Sequence, residues 1–323
     1  MNIAIAAALL AAAGAASALP AQEASSPLVE QAVPAKLFSG SRTRDALRVQ
    51  VLLDRSRHSP GVIDGVMGGN TERAIMAFER EHGLQPDGKL DRELLDALER
   101  DGRGEILTRY TITDEDVAGP FEKLPTGMEE MSKLKILAYE SPAEALAEKF
   151  HMAKSFLEAL NPATDFSRAG SVITVVARAQ QGPTGPVARI EVDKAKSRLR
   201  AYAADGSIVA TYPATVGSAD FPSPDGAMEV RAIAPAPVYY FNPEGRDWGP
   251  DKRLTIAAGP NNPVGSTWID LTKEGYGIHG SPDPRLIGKT SSHGCVRLTN
   301  WDVQALSKLV SPGTEVVFLS GGG

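Results

Sequence analysis

Apolar residues between positions 44 and 101 recur at the three- and four-residue spacing of amphipathic helices. The pattern predicts three short helices, one around 46–53, one that starts near Asn70 and one that starts near Asp91. Asn70 and Asp91 are expected to be N-caps, because short polar side chains accept hydrogen bonds from amides of the first turn. The links between the helices are rich in Pro, Asp and Gly, which form turns. Residues 44–101 are therefore predicted to form a small three-helix module.

The pattern changes after residue 187, where apolar and polar positions alternate with the period of β-strands. Ala204-Asp205-Gly206 is a hairpin turn signal between two of these segments. Many short strands separated by Gly and Pro predict a sheet folded on itself into a sandwich or barrel over residues 187–320. Strands are expected at 188–192, 198–203, 208–212, 227–233, 277–279 and 315–319, with one helix over about 300–309.

The remaining segments complete a multidomain α+β protein with a less regular middle segment over residues 110–178. Residues 1–18 are apolar and end in Ala16-Ser17-Ala18, which is typical of a secretory signal peptide, although no Lys or Arg precedes Ile3. A retained anchor is the alternative, but the stretch is shorter than the roughly 20 apolar residues of a spanning helix. Residues 19–43 are rich in Ala, Ser and Pro and are predicted to be a flexible tether. We therefore expect export to the periplasm or cell wall, without stable membrane insertion after processing.

The charge balance limits the classes of partner. The chain has 34 basic and 40 acidic residues among 323, a net charge of -6. Such a balance gives no general attraction to nucleic acid or to anionic lipid, so neither partner is expected.

The single cysteine, Cys295, lies in a segment that carries the ingredients of acyl-transfer chemistry. A thiol with a reference pKa of about 8.5 needs a base to become a nucleophile at neutral pH. His293 lies two residues before the thiol and His279 ends a predicted strand, and their spacing alone does not decide between them. Cys and His are also zinc ligands, but His293 and Cys295 lack the second ligand pair of a zinc motif, so neither metal nor cofactor is expected. His58, His82 and His151 are interpreted as packed or solvated side chains.

The segments 278–282 and 291–298 resemble the signature of L,D-transpeptidases, in which His-Gly is followed by Ser-His-Gly-Cys-Val-Arg. The resemblance extends over roughly 187–319 and includes the runs 212–217, 223–226 and 262–265 in the family's order. It implies that His279 is the base of Cys295 and that His293 shapes the site. Some members carry a serine directly after the base, where this chain has Gly280. A backbone carbonyl, Ser281 or Ser292 is expected to orient the imidazole instead.

Acyl transfer to Cys295 implies further roles for neighbouring residues. Attack by the thiolate creates an oxyanion, for which the amides of Gly294 and Cys295 are candidate donors. Arg297 is expected to bind a substrate carboxylate through its guanidinium, and Gly280 and Ser281 are expected to line the substrate site.

Two N-terminal segments also resemble wall-binding families. Residues 44–101 are similar to the peptidoglycan-binding domain, with Glu79 at a position where that family often has Gln. Residues 144–175 look like part of a LysM domain, and Tyr110-Thr111-Ile112-Thr113 fits its opening, although more than twenty residues intervene. The middle segment is expected either to bind glycan or to be a linker domain that only packs against the rest of the protein.

Together the resemblances imply a peptidoglycan L,D-transpeptidase that acts on stem peptides and glycan and accepts a carbapenem as an acyl donor. Two alternatives remain open. A related cysteine hydrolase would use the same motif with water as the acceptor, and a non-catalytic wall-binding protein would not depend on Cys295.

Overall fold

The computed structural model describes residues 33–102, 104–179, 182–244 and 248–319. The predicted signal peptide, residues 1–18, lies outside the described residues, as does the tether up to residue 32. None of the helices in these four ranges is both long and apolar enough to cross a membrane.

The helices are short and lie mostly in the N-terminal half of the chain. They are α1 (Arg44–Arg55), α2 (Gly69–Glu81), α3 (Arg92–Gly102), α4 (Asp114–Val117), α5 (Met128–Met131), α6 (Pro142–Lys149), α7 (Lys154–Leu160) and α8 (Asn300–Ser307). The strands are β1 (Leu107–Thr111), β2 (Val172–Val176), β3 (Arg189–Asp193), β4 (Arg198–Tyr202), β5 (Ile208–Pro213), β6 (Gly226–Pro235), β7 (Tyr239–Phe241), β8 (Leu254–Ile256), β9 (Thr267–Leu271), β10 (Gly277–His279), β11 (Val296–Arg297) and β12 (Glu315–Leu319).

The C-terminal domain is a mainly β unit, as predicted. Eight strands form one sheet in the order β11-β10-β9-β6-β12-β3-β4-β5, and β7 and β8 form a separate hairpin. The long strand β6 pairs with β12 at one end and with β9 at the other, with a register shift between Val230 and Ala232. A bulge of this kind bends a strand and increases its twist. The sheet therefore curls around a core built from its own apolar face and helix α8.

The three-helix module and the middle segment share one hydrophobic core. Its fully buried side chains include Leu52 and Phe78 from the module and Phe156 and Val175 from the middle segment. The boundary expected between residues 101 and 110 is thus a boundary in sequence but not in packing. In the middle segment, β1 pairs antiparallel with β2, and α6 and α7 lie between them along the chain, with α4 and α5 filling the intervening stretch. The LysM resemblance and glycan binding by this segment stay predictions.

The described end of the predicted tether packs against the module. Val33 is buried, Arg42 bridges to Val66, and the guanidinium of Arg44 lies 4.4 Å from the centre of the Phe38 ring. A flexible tether over all of 19–43 is therefore wrong for residues 33–43, because apolar Val33 and Phe38 gain contacts there.

One of the two predicted N-caps is confirmed and the other is wrong. The Asp91 carboxylate accepts a hydrogen bond from the Leu94 amide, at 2.9 Å, as an N-cap does. Asn70 instead lies inside α2, and its side-chain amide donates to the carbonyl of Ile287 at 2.8 Å. Arg73, one turn later, donates to the carbonyl of Gly288 at 3.2 Å. The Asn70 side chain thus bonds to a loop that is distant in sequence and not to the amides of its own helix.

The module also covers an edge of the curled sheet. The Ser59 amide donates to the Thr211 carbonyl, and the Thr211 amide donates to the Arg57 carbonyl, both at 2.9 Å. Thr211 belongs to β5, which ends the eight-stranded order. These bonds satisfy backbone groups that an open edge strand would expose.

Candidate active site

Strand pairing brings the histidine and the cysteine segments together. β10 pairs parallel with β11, with Ile278 opposite Val296 and His279 opposite Arg297. Ile278 and Val296 are fully buried in the core, so His279 and Arg297 lie on the other face of the two strands. Cys295 directly precedes β11 and is two residues from Arg297, which places it on the same side as His279 in extended chain.

His279 is held in one tautomer by the backbone. Its Nδ1 lies 2.7 Å from the Gly280 carbonyl oxygen, which can only accept, so Nδ1 carries the proton and Nε2 is the basic nitrogen. The ring is 3 % exposed and stacks on Trp268 with the ring centres 5.3 Å apart. Of the three candidates for an orienting group, a backbone carbonyl is thus the one that the structure places on the ring.

Burial, the larger cause, and the positive charge of Arg297 together lower the pKa of His279 to about 4, although hydrogen bonds to the backbone of Gly280 and Val264 act in the opposite direction. The imidazole is therefore neutral at pH 7 and able to accept a proton. Burial also lowers the pKa of Arg297, an effect that the negative charge of a Cys295 thiolate partly offsets. These mutual electrostatic effects are consistent with a shared face for His279, Arg297 and Cys295.

The cysteine lies at the end of a tight turn that precedes β11. Its side chain is partly exposed, and Sγ lies 3.6 Å from the Gly275 carbonyl oxygen. Within the turn the Ser292 hydroxyl donates to the Cys295 carbonyl at 2.5 Å and accepts from the Gly294 amide at 3.1 Å. Ser292 therefore stabilises the nucleophile turn and not the imidazole.

Gly294 is required by the backbone of this turn. Its φ is +111°, and a Cβ there would lie 3.0 Å from Cε1 of Tyr276. The proposed role of its amide as an oxyanion donor conflicts with the structure, because that amide already donates to Ser292 Oγ. The physical reason is the sharp turn, which directs the amide back towards the preceding serine. The Cys295 amide stays the candidate donor.

His293 lies between two aromatic side chains. Its ring centre is 4.1 Å from that of Trp248, in a stacked arrangement, and 4.7 Å from that of Phe221. His293 is exposed, whereas His279 is buried. A role for His293 in shaping the entrance to the site, rather than as the base, stays our hypothesis.

The candidate substrate residues differ in their surroundings. Arg297 is half-buried, and among the described residues its Nε has no hydrogen-bond partner. The Ser281 hydroxyl accepts from the Asp283 amide at 3.3 Å, and Gly280, which directly follows His279, is buried. Of these three, Arg297 keeps the functional group best suited to a substrate carboxylate.

Metal ligation has no support in the described part of the chain, where no three His, Cys, Asp or Glu side chains form a group that could hold an ion. The other histidines each lie beside a carboxylate. The three pairs are His58 with Glu81 at 3.1 Å, His82 with Asp101 at 2.7 Å and His151 with Asp54 at 2.8 Å.

Sequence reasoning missed several residues around the site. Trp268, Trp248 and Phe221 stack on the two histidines, and the Ser223 hydroxyl donates to the Gly294 carbonyl at 2.7 Å. One usable signal was present, since residues 267–271 alternate in the manner of a strand and carry Trp268.

Comparison with known proteins identifies both recognisable parts of the chain. Residues 187–318 match the L,D-transpeptidase catalytic domain family. The C-terminal domain is therefore similar to L,D-transpeptidase catalytic domains. Residues 40–98 match a peptidoglycan-binding domain family, in agreement with the resemblance of the three-helix module.

Relatives with the L,D-transpeptidase name occur in several bacteria. YkuD of Bacillus licheniformis is 29% identical over 173 residues, which are 54% of this chain and 90% of that protein. YbiS of Escherichia coli is 29% identical over 184 residues, 55% of this chain and 60% of that protein. The chain spans only 35% of YkuD and 61% of YqjB of Bacillus subtilis.

Among solved structures, an L,D-transpeptidase from Xylanimonas cellulosilytica aligns with 89% of this chain and 97% of its own. The sequence identity is 17% and the TM-score is 0.39. An L,D-transpeptidase from Mycobacterium smegmatis covers 49% of this chain and 80% of its own, with 18% identity and a TM-score of 0.36. Scores this low have no bearing on the activity.

Proposed function

We propose that this protein is a peptidoglycan L,D-transpeptidase in which Cys295 is the acyl-accepting nucleophile and His279 is its base. The observation that supports this most is the pairing of β10 with β11, which puts His279 opposite Arg297 and beside the cysteine turn. The bond from Nδ1 to the Gly280 carbonyl leaves Nε2 as the atom that takes the thiol proton.

In the first step Cys295 Sγ attacks the carbonyl carbon of the third residue of a tetrapeptide stem, which we propose to be diaminopimelate. His279 Nε2 takes the thiol proton as the S–C bond forms. The tetrahedral intermediate then breaks its C–N bond, and the imidazolium returns the proton to the nitrogen of the departing D-Ala. A thioester remains on Cys295.

In the second step an amine of an acceptor stem attacks the thioester carbonyl, and neutral His279 takes the proton from that amine. Collapse of the intermediate breaks the C–S bond, forms the amide cross-link between two third-position residues and returns the proton to sulfur. The reaction consumes one terminal peptide bond and forms one new amide, so it needs no external energy source.

The groups around Cys295 are proposed to stabilise the charges that develop during the reaction. Arg297 lies on the face of Cys295, where its positive charge favours the thiolate, and we propose that it also holds a stem carboxylate. The Cys295 amide is the proposed donor to the oxyanion. Because His279 is neutral at rest, it acts as a general base during attack and not as half of a standing ion pair.

The substrate lies outside the cytoplasm, so we propose that the protein acts in the periplasm or cell wall. The peptidoglycan-binding match of residues 40–98 supports attachment to the polymer. Because the module is docked on the C-terminal domain by Asn70 and Arg73, it would present bound glycan to the site in a fixed orientation.

The test is to incubate purified protein with a disaccharide-tetrapeptide and weigh the products. Transfer predicts a cross-linked dimer with loss of one D-Ala, and the Cys295→Ala variant should form none. Monomeric product that has lost D-Ala, without dimer, would instead support hydrolysis of the same thioester. Unchanged substrate in both samples would contradict the proposed enzyme.

A further inference from the structure

Asn300 occupies the junction between β11 and α8 and has no exposed surface. Its Oδ1 accepts a hydrogen bond from the Ser266 amide at 2.9 Å, and its Nδ2 donates to the Pro260 carbonyl at 3.0 Å. Neither partner is on helix α8. The side chain therefore ties the start of the helix to the loop that leads into β9.

The same oxygen lies against the backbone next to the candidate base. A Cβ added to Gly265 or to Gly280 would lie 2.2 Å from Asn300 Oδ1, far inside van der Waals contact. Gly280 supplies the carbonyl that binds His279 Nδ1. The amide of Leu298 also donates to the His279 carbonyl at 2.8 Å. Asn300 thus packs directly on the peptide that sets the tautomer of the imidazole.

A residue of the middle segment reaches Asn300 from the other side. Helix α6 packs against α8, and its Glu148 carboxylate interacts with the Asn300 side chain and accepts a hydrogen bond from the Tyr139 hydroxyl at 3.1 Å. The Asn300 amide group can donate two hydrogens, and the Pro260 carbonyl accepts one of them. A buried side-chain amide without hydrogen-bond partners would cost free energy. The observed orientation of Asn300 is therefore favoured over orientations that break its hydrogen bonds.

We propose that Asn300 is a positioning residue for the base, and that Glu148 holds Asn300 in place from the middle segment. Asn300 holds the Gly280 peptide in place, and that peptide holds the ring of His279. The ring is then oriented so that Nε2 can take the proton of the Cys295 thiol. The inference rests on the proposed function of His279. It assigns to the middle segment a part in building the site that is separate from any binding of glycan.

Four variants separate positioning from simple stability. Asn300→Ala removes every side-chain bond, Asn300→Asp keeps the acceptor for the Ser266 amide but loses both donors, and Glu148→Ala removes the support from the middle segment. The control is Val303→Ala, which truncates another fully buried side chain of α8 that belongs to the hydrophobic core. Thermal midpoints of all four are measured first.

The first readout is the rate constant of carbapenem acylation, followed by intact mass. We expect Asn300→Ala to lose about tenfold or more, because small displacements of a reacting group carry large rate costs. Asn300→Asp and Glu148→Ala should lose about threefold to tenfold, and Val303→Ala less than about twofold at a similar thermal midpoint. If Asn300→Ala does not fold, the other two variants carry the comparison.

The second readout is the nitrogen NMR spectrum of the His279 ring, assigned with a His279→Gln variant. Wild type should show the Nδ1-protonated tautomer, and Asn300→Ala a mixture or an imidazole whose pKa has moved. Acylation at the control rate with an unchanged ring spectrum would overturn the proposal. Absence of any wild-type adduct would refute the proposed function instead, and the spectrum would still decide the positioning role.

Discussion

The charge of Arg297 provides a quantitative test of the site's electrostatics. Burial and Arg297 together lower the pKa of His279 from 6.5 to about 4, a difference of about 3 kcal/mol between its protonation states. In Arg297→Gln the burial remains and the charge is removed. The imidazole pKa should therefore rise but stay below its ordinary value, because burial is the larger of the two causes.

The assay is the apparent second-order rate of carbapenem acylation between about pH 3.5 and 7, with the fold checked by circular dichroism at each pH. The acid limb of this profile reports the base in the free enzyme. In wild type it should fall near pH 4, and in Arg297→Gln at a higher pH that is still below the ordinary imidazole value. The plateau will also drop, since Arg297 favours the thiolate, so the position of the limb is the readout and not its height.

A matched control removes a positive charge that solvent screens. Arg285 is exposed and paired with Asp283 at 2.8 Å, so Arg285→Gln should leave the acid limb where it is. An acid limb that stays in place or moves down in Arg297→Gln would refute the electrostatic reasoning. An equal shift in both variants would show that overall charge, and not the Arg297 position, is responsible.

Three further predictions concern the turn, a buried carboxyl and the module interface. Gly294→Ala should destabilise the protein by about 1–3 kcal/mol and slow acylation, because of its positive φ and the nearby Tyr276 ring; urea unfolding and adduct formation test this, and a wild-type rate would contradict it. Burial raises the pKa of Asp302 from 3.8 to about 7, so its ionisation costs the fold stability as pH rises from about 4 to 7. Asp302→Asn should remove that loss, a gain over wild type of up to about 4 kcal/mol at pH 7 relative to pH 4, and identical pH slopes in urea unfolding would refute it. Asn70→Ala removes the bond to the Ile287 carbonyl, so amide exchange at Lys289 should speed up about fivefold to tenfold, whereas an unchanged rate would mean that the module does not brace this loop.

Local patterns in the sequence were sufficient for the longer helices and for most strands of the curled sheet, but not for the four-residue helices α4 and α5. Helix α3 buries Leu94, Ala97 and Leu98 on one side and exposes Asp96 and Arg100, so its period is visible in the sequence. The two-residue strand β11 lies inside the catalytic motif and is too short to show a period. The hairpin of β7 and β8 was also missed, since each strand has only three residues.

Contacts between distant parts of the chain were beyond local reasoning. Asn70 has the residue type of an N-cap, but its partner, the Ile287 carbonyl, is 217 residues away. The amide of Gly294 has the residue type expected of an oxyanion donor, yet the fold of the turn directs it to Ser292. The motif identified the chemistry of Cys295 and His279, whereas the group that orients His279 depended on the backbone path through Gly280.

The central claim is that Cys295, activated by His279, becomes acylated by a peptidoglycan stem. It is tested most directly by intact-protein mass after brief exposure to a disaccharide-tetrapeptide, with wild type, Cys295→Ala and His279→Gln compared. The account predicts an adduct equal to the substrate less D-Ala on wild type, at most a trace of it on His279→Gln and none on Cys295→Ala. An adduct of equal yield on Cys295→Ala, or an equally fast adduct on His279→Gln, would contradict it.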